Sequence, residues 1–270
     1  MKKAVLIIAI LLVIVLIGGV SFGIVKYATQ KVENPVATIK FKDYDEAVVV
    51  ELCPEYAENT VTNFIKLADN GYYNGLKIHR VEESLIQGGD SKGDGSGSPT
   101  KGAIDKSIES GSDADKEYAI PGEFAKNGYK NNTLKFERGT IGMARGDYTN
   151  YDSSLTDESY NSAGSQFFIL TKTSSSLNGN YCAFGKVTSG MDTVDAISKV
   201  ETAVDEEKNE ETGETTQKET TRPATDVIIE SITIDSKGVD YGMPTTNEVF
   251  DFSSWYMSKY YTTSSSSSSN

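Results

Sequence analysis

The strongest constraint on the fold is a series of short strand-like runs separated by loops that are rich in Gly and Ser. The runs lie at residues 37–41, 47–52, 76–81, 139–144, 166–170, 182–187 and 227–234. Runs of this length, with β-branched and aromatic residues and with turn-forming residues at their ends, are typical of strands. Many short strands with few helices predict a mainly β fold, built as a closed or nearly closed barrel.

Two segments show helical spacing instead. The first has apolar residues at positions 61, 64, 65 and 68, and the second at positions 191, 194 and 197. Asn59 or Thr60 is expected to cap the N-terminus of the first helix, and Gly71 is expected to end it. We therefore predict two helices packed on the barrel.

The composition fits one globular domain and argues against a nucleic-acid-binding protein. Without about thirty residues at each end, the 270-residue chain suits a single hydrophobic core. A net charge of -13 opposes binding to phosphate backbones. Cys53 and Cys182 lack metal-ligand spacing and are either two buried thiols or one bridge. The sequence predicts no cofactor and no metal site.

Residues 4–25 form an uncharged apolar run that directs the chain to a membrane. As a helix the run would be ~33 Å long, which is enough to cross a bilayer. Lys2 and Lys3 favour a cytoplasmic N-terminus, with the rest of the chain outside. The length of the run favours an uncleaved anchor, whereas the small residues of Gly19-Val20-Ser21 would suit a signal peptidase. We expect a single-pass cell-membrane protein with an extracytoplasmic domain, or a secreted protein if the segment is cleaved.

The predicted order of segments is a membrane or signal helix at 1–30, a linker at 31–36, a barrel domain at 37–235 and a tail at 236–270. Long loops are expected at 91–120, 146–163 and 201–222. The last loop is mainly acidic and is expected to be mobile and solvated. The tail carries an aromatic cluster and a Ser-rich end, and it either docks on the domain or is disordered.

Four segments in a fixed order carry the chemistry. They read IHRV at 78–81 leading to QGGD at 87–90, GTIGMAR at 139–145, GSQFFI at 164–169 and LNGNYCAFGKV at 177–187. Together they resemble the signature of the cyclophilin family of peptidyl-prolyl cis-trans isomerases, over roughly residues 37–235. The resemblance implies an eight-stranded antiparallel barrel capped by two helices, with an outer groove that binds the proline ring of polypeptide substrates. Nothing in the sequence indicates oligomerisation, so a monomer is expected.

The resemblance assigns catalysis to Arg80, Gln87, Gln166 and Phe168. Arg80 matches the family's catalytic arginine. A fixed cation that donates to the prolyl nitrogen stabilises the twisted amide more than either planar state, and arginine keeps its charge at physiological pH. Gln87 and Gln166 match the polar residues that hold this arginine and the substrate backbone.

The resemblance implies substrate contacts for six further residues, namely His79, Leu85, Ala144, Arg145, Leu177 and Tyr181. Leu85 and Leu177, with Phe168, match the apolar positions of the proline pocket. The backbone of residues 144 and 145 matches the edge along which the peptide lies. Tyr181 stands where many members carry His, and His79 is expected in a supporting, hydrogen-bonded role.

Two departures from the family pattern affect the expected activity. Residues 81–86 are one residue shorter than the usual segment, so Ser84 takes the place of a pocket phenylalanine, and Ser176 stands where cyclosporin-sensitive members commonly carry Trp. A lost pocket aromatic removes contact area worth ~1–2 kcal/mol. We expect a weak isomerase that is poorly inhibited by cyclosporin and assists the folding of exported proteins. The alternative is a catalytically impaired peptide-binding module or chaperone.

Overall fold

The computed structural model describes residues 33–208 and 215–261. Its strands are β1 (Val36–Phe41), β2 (Val48–Leu52), β3 (Lys77–Glu82), β4 (Leu85–Asp90), β5 (Tyr118–Ala119), β6 (Thr140–Met143), β7 (Phe167–Leu170), β8 (Cys182–Ser189), β9 (Thr202–Lys208), β10 (Thr215–Pro223), β11 (Val227–Asp235) and β12 (Asn247–Glu248). Its α-helices are α1 (Glu58–Asp69), α2 (Lys101–Ile104), α3 (Thr156–Tyr160), α4 (Met191–Ile197) and α5 (Phe252–Tyr260).

Eight of these strands close into a barrel in the order β1-β11-β3-β4-β7-β6-β8-β2. Every neighbouring pair in the barrel is antiparallel. The predicted eight-stranded antiparallel barrel is therefore confirmed. Closure leaves no unpaired edge among these eight strands, which removes the usual site of edge-to-edge aggregation.

The alternation of side chains explains how the barrel fills its interior. In β1, Ala37, Ile39 and Phe41 are buried, whereas Thr38 and Lys40 between them point outward. Successive side chains of a strand face opposite sides of a sheet, so each apolar set of period two contributes one row to the core. The sequence pattern thus selects the inner face of this strand.

Helix α1 is capped by a carboxylate from a distant part of the chain. It starts at Glu58, so neither Asn59 nor Thr60 is the N-cap that the sequence predicts. The buried carboxylate of Glu123 instead accepts the backbone N–H of Asn59 at 3.0 Å and that of Thr60 at 2.7 Å, as well as the Thr60 hydroxyl at 2.6 Å. An anion at this end binds otherwise unpaired N–H groups and is stabilised by the helix dipole. The second predicted helix is confirmed as α4.

Several elements were not predicted, namely α2, α3, α5 and the two-residue strands β5 and β12, together with the two described next. Strand β4 is absent from the predicted runs, because Gly88 and Gly89 weaken its strand pattern. Within the segment 201–222, expected to be a loop, residues 202–208 and 215–222 belong to the antiparallel pair of β9 and β10, and residues 209–214 lie outside the described residues. Strands that combine Thr with charged residues suit a solvated pair, and an acidic composition alone does not distinguish this pair from a loop.

The tail from Ser236 to Tyr261 docks on the barrel domain. The side chain of Asn59 in α1 donates to the Thr245 carbonyl at 3.0 Å and accepts the Thr245 N–H at 2.7 Å. Strand β12 then pairs with β5. Of the two alternatives that the sequence left open, docking is the one found for these residues.

The two cysteines are free and buried. Burial raises the pKa of each thiol, Cys53 and Cys182, to about 12. Two buried thiols is therefore the correct alternative, and neither is activated as a nucleophile.

The apolar run at residues 4–25 lies outside the described residues. Within 33–208 and 215–261, no helix has both the length and the apolar character needed to cross a bilayer.

Candidate active site

An open cavity of about 220 Å³ lies on the outer side of the barrel. Its lining consists of Arg80, Leu85, Gln87, Ala144, Arg145, Phe168, Leu177 and Tyr181. Eight of the ten residues singled out by the sequence therefore meet at one place. The other two, His79 and Gln166, lie close to it but do not line this cavity.

Strand register explains why distant residues meet there. Arg80 in β3 pairs across the sheet with Gln87 in β4, which in turn pairs with Phe168 in β7. Arg80 and Glu82 flank Val81, which points into the barrel core, so both polar side chains face outward. Three adjacent strands thus place a cation, an amide and an aromatic ring side by side.

The apolar part of the cavity rests on a small hydrophobic cluster that is separate from the barrel core. Its buried members are Leu85, Phe136, Phe168, Leu170 and Ala183. The rings of Phe136 and Phe168 stack with centroids 5.7 Å apart, and Tyr181 meets Phe168 edge-on at 6.0 Å. This floor offers an apolar surface of fixed shape to a ring of proline size.

Gly142 permits this close packing. It lies opposite Phe168 in the β6–β7 register, and a Cβ atom there would be 2.6 Å from ring atoms of both Phe136 and Phe168. Such distances are well below van der Waals contact. Any larger residue at this position would displace the stacked rings.

A chain of hydrogen bonds fixes the polar side of the site. Arg80 donates from Nη1 to the amide oxygen of Gln87 at 3.0 Å, and Gln87 donates from Nε2 to that of Gln166 at 3.0 Å. Gln166 donates in turn to the carbonyls of Gly95 at 2.9 Å and Gly97 at 3.1 Å. Gln166 therefore acts on Arg80 through Gln87. The chain of bonds also fixes the orientation of both amides, because each amide donates from its nitrogen and accepts at its oxygen.

Glu82 anchors Arg80 on its other side. Its Oε1 accepts from Arg80 Nε at 2.9 Å and from Nη2 at 2.5 Å. Both side chains are partly exposed, 40% for Arg80 and 34% for Glu82, so solvent screens the pair. Sequence reasoning did not assign a role to Glu82. Its position two residues after Arg80 on one face of a strand is the signal that could have indicated it.

Phe136 was also missed by sequence reasoning. It lies in residues without helix or strand, so no periodic pattern singles it out. Its backbone N–H donates to the side-chain oxygen of Asn178 at 2.9 Å, which ties it to the segment that precedes β8. Only the folded chain brings it beneath Phe168.

Arg145 lies between three aromatic rings. Its guanidinium carbon is 5.6 Å from the ring centroid of Phe124, 5.0 Å from that of Tyr160 and 4.6 Å from that of Tyr181. Its Nε donates to the Asn180 carbonyl at 3.1 Å. These cation–π contacts hold Arg145 at the boundary of the cavity.

A second cavity of about 310 Å³ adjoins the first. Gln87, Ala144 and Arg145 line both cavities, while Gln166 and Tyr148 line only the second. The two cavities therefore form a continuous groove with Arg145 between its parts.

His79 is placed differently from the expectation. It is buried behind the groove, and its two ring nitrogens have no hydrogen-bond partner within 33–208 and 215–261. The expected hydrogen-bonded role is therefore not found. Burial is the largest effect and lowers the pKa of the imidazole; Asp90 partly opposes it, Arg80 lowers the pKa further, and Asp94 raises it slightly. His79 is a neutral packing residue next to the catalytic candidate.

Ser84 and Ser176 both lie outside the lining of the proline-sized cavity. Ser84 is in the turn between β3 and β4, where its carbonyl accepts from the Thr171 N–H at 2.9 Å. Ser176 is exposed in the turn Ser175–Leu177. Neither residue supplies apolar contact area to this cavity.

Comparison with known proteins connects this geometry to a family. The family model "Cyclophilin type peptidyl-prolyl cis-trans isomerase/CLD" matches residues 36–234. A probable peptidyl-prolyl cis-trans isomerase of Brucella suis is 36% identical over 185 residues, which are 67% of this chain and 80% of that protein. Peptidyl-prolyl cis-trans isomerase B of Bacillus subtilis is 35% identical over 143 residues, 53% of this chain and 76% of that protein.

Solved structures show the same fold. A cyclophilin-type isomerase of Cryptosporidium parvum superposes with a TM-score of 0.54 at 23% identity, covering 75% of this chain and 98% of the other. A crystal structure of that isomerase in the presence of the dipeptide Ala-Pro gives a TM-score of 0.53 at 24% identity, covering 74% and 99%. At this identity the likeness establishes the barrel architecture.

Proposed function

The chain belongs to the cyclophilin-type peptidyl-prolyl cis-trans isomerase family and is an isomerase of this type, and we propose that it assists the folding of exported polypeptides outside the cytoplasm. The observation that carries the assignment of its site is the position of Arg80 at the edge of an apolar cavity floored by Phe168. The proline ring would lie on Phe168, with the guanidinium of Arg80 beside the prolyl nitrogen. The Ala-Pro dipeptide used with the Cryptosporidium relative supports proline-containing peptides as substrates.

The proposed catalytic role of Arg80 is electrostatic. Rotation about an amide is opposed by ~18–20 kcal/mol, because the nitrogen shares its lone pair with the carbonyl. In the twisted state the lone pair returns to the nitrogen, which then accepts a hydrogen bond that the planar states accept poorly. A donor held in place before the reaction stabilises that state selectively. Gln87 and Glu82 hold Arg80 in this way.

The proposed location rests on the amino-terminal sequence. Residues 4–25 are uncharged and follow Lys2 and Lys3, a pattern that orients the following domain to the outside of a membrane. Polypeptides that fold there pass through X-Pro exchange steps lasting tens of seconds. An isomerase tethered by this segment, or released after its cleavage, would meet them as they emerge. We propose that it does so as a monomer.

We further propose that turnover is modest and that cyclosporin binds poorly. Ser84 and Ser176 provide no aromatic wall, and burial of a large apolar side chain contributes roughly 1.5–3 kcal/mol.

The same two serines, Ser84 and Ser176, favour a second candidate function, a peptide-binding module with little turnover. A proline-containing peptide would then bind in the groove without faster exchange. The two candidates differ only in the rate, so one assay separates them.

The test measures cis-to-trans exchange of an Ala-Pro tetrapeptide by the full-length chain. Arg80→Ala is expected to lower kcat/KM by about 100-fold, as loss of one preorganised donor does elsewhere. Arg138→Ala is the matched control, because Arg138 pairs with Asp195 of α4 and lines neither cavity. If folded Arg80→Ala retains the wild-type rate, the role of Arg80 is wrong. Peptide binding with no acceleration by the wild type would support the second candidate.

A further inference from the structure

The docked tail places a group of aromatic rings next to the groove. We call Tyr151, Phe252, Trp255, Tyr256 and Tyr260 the aromatic shelf. Phe252 is the centre of this group, with centroids 4.7 Å from Tyr151, 5.6 Å from Trp255 and 5.8 Å from Tyr256. Tyr260 extends the shelf through Tyr256, 4.8 Å away.

The shelf contributes little to the hydrophobic core. Helix α5 carries most of these rings, yet none of its residues is buried. Tyr151 is 55% exposed, and Tyr260 is 47% exposed. Of the six large hydrophobic residues that are exposed in the described part of the chain, four lie on or beside α5, namely Tyr151, Met257, Tyr260 and Tyr261. A contiguous exposed apolar surface of this kind marks an interaction site.

The shelf is continuous with the substrate groove. Tyr148 lines the second cavity, and its ring stacks on Phe252 with centroids 5.2 Å apart and an interplanar angle of 10°. The groove therefore runs from the cavity floored by Phe168, past Arg145, to Tyr148 and then to the shelf. A polypeptide bound in the groove would reach α5 without leaving the surface.

On the basis of the proposed function, we propose that the aromatic shelf binds a second stretch of the same client polypeptide, an extended segment that carries proline or aromatic side chains. Flat aromatic faces pack well against the preformed, extended conformation of proline-rich segments. The one cation of α5, Lys259, is paired with Asp152 and lies 4.8 Å above the Trp255 ring. With a net charge of -13, the chain has little attraction for anionic lipid surfaces.

Two linked sites on one client have a measurable consequence. Once a proline occupies the groove, the shelf meets the rest of the same chain at a high effective concentration, so affinity for a long client exceeds that for a short peptide. A tetrapeptide offers the shelf no second stretch of chain once its proline lies in the cavity. The shelf is therefore expected to affect long clients and to leave tetrapeptide turnover unchanged.

Trp255 provides a direct probe, because it is the only tryptophan of the chain. The experiment titrates the full-length chain in detergent micelles with an unfolded polypeptide of about thirty residues that carries prolines and tyrosines along its length. A separate titration uses the tetrapeptide. The polypeptide is expected to change Trp255 emission, and the tetrapeptide is not. Tyr256→Ser combined with Tyr260→Ser is expected to weaken polypeptide binding about fivefold or more while tetrapeptide kcat/KM stays within twofold.

Met243→Ser is the matched control, because Met243 is an exposed tail residue, at 51%, outside the shelf. Unchanged polypeptide affinity in the double variant would overturn the proposal. Quenching of Trp255 by brominated lipids without a response to polypeptide would also overturn it and would assign a membrane surface to the shelf. A Trp255 emission that depends only on protein concentration would overturn it as well and would assign a second copy of the chain. Arg80→Ala separates the two proposals, since it is expected to lower exchange about 100-fold and to retain the Trp255 response.

Discussion

Arg80 donates from Nε to the carboxylate of Glu82 across 2.9 Å, while its Nη1 donates to Gln87 across 3.0 Å. The guanidinium is thus held from two sides by neighbours on β3 and β4. Of these two anchors, only Gln87 was predicted from the sequence. The pair between Arg80 and Glu82 therefore affects how the catalytic guanidinium is oriented.

Glu82 is expected to act as a positioning residue. Glu82→Ala removes the acceptor of two Arg80 donors, so the guanidinium samples more orientations and kcat/KM falls about threefold to tenfold. Glu82→Gln keeps an acceptor oxygen and is expected to recover much of the loss. In kinetics with the tetrapeptide the loss should appear mainly in kcat and little in KM, because the apolar cavity that binds proline is unchanged.

The control for Glu82 is its neighbour Glu83, which pairs with Lys172 and lines neither cavity. Glu83→Ala should leave kcat/KM unchanged. A Glu82→Ala variant with the wild-type kcat would show that Gln87 alone positions Arg80.

Ser176→Trp is expected to create cyclosporin binding. Ser176 is exposed beside Leu177, which lines the cavity, so an indole there would add an apolar wall. The added contact area predicts roughly tenfold tighter binding. Isothermal titration of the variant with cyclosporin measures the effect, with Ser175→Trp as the control one position away. Equal affinity in both variants would disprove the role assigned to this side of the cavity.

The burial of His79 predicts that the folded protein loses stability in acid through this residue. Burial lowers the pKa of His79 in the folded state below its unfolded value of about 6.5. Between these two pKa values the unfolded chain binds more protons at His79. The contribution of His79 to the free energy of unfolding is therefore fully present above about pH 6.5 and declines as the pH falls through the unfolded pKa toward the folded one. His79→Phe should remove this decline.

Urea unfolding at pH 7.5, 6.0 and 5.0 measures that difference. The chain has one histidine, so the imidazole signal in a proton NMR titration belongs to His79 without further assignment. The same dependence on pH in both proteins would contradict the prediction.

Glu123 is expected to stabilise the N-terminus of α1. Glu123→Ala leaves the N–H groups of Asn59 and Thr60 unpaired in a buried place, which costs about 1–3 kcal/mol for each donor that finds no water. Glu123→Gln keeps one acceptor and should lose less. Denaturant unfolding gives the values, and hydrogen exchange at Thr60 should rise in Glu123→Ala before global unfolding. Unchanged protection there would show that the cap contributes nothing.

The sequence by itself determined the parts that depend on local pattern. Alternation of apolar residues set the inner face of strands such as β1, and the 3.6-residue period located α1 and α4. The ordered motifs identified Arg80, Gln87 and Phe168 as residues of one groove, because their resemblance to the family carries the register of the strands with it.

Tertiary structure alone decided the contacts between residues with no periodic relation. Glu123 caps α1 from 64 residues away, Phe136 stacks under Phe168, and the tail brings Phe252 onto Tyr148. Each contact depends on how the closed barrel positions irregular segments in space. Local propensity acts over a few neighbouring residues, and it carries no information about which distant side chain will complete a helix end, a pocket floor or an aromatic surface.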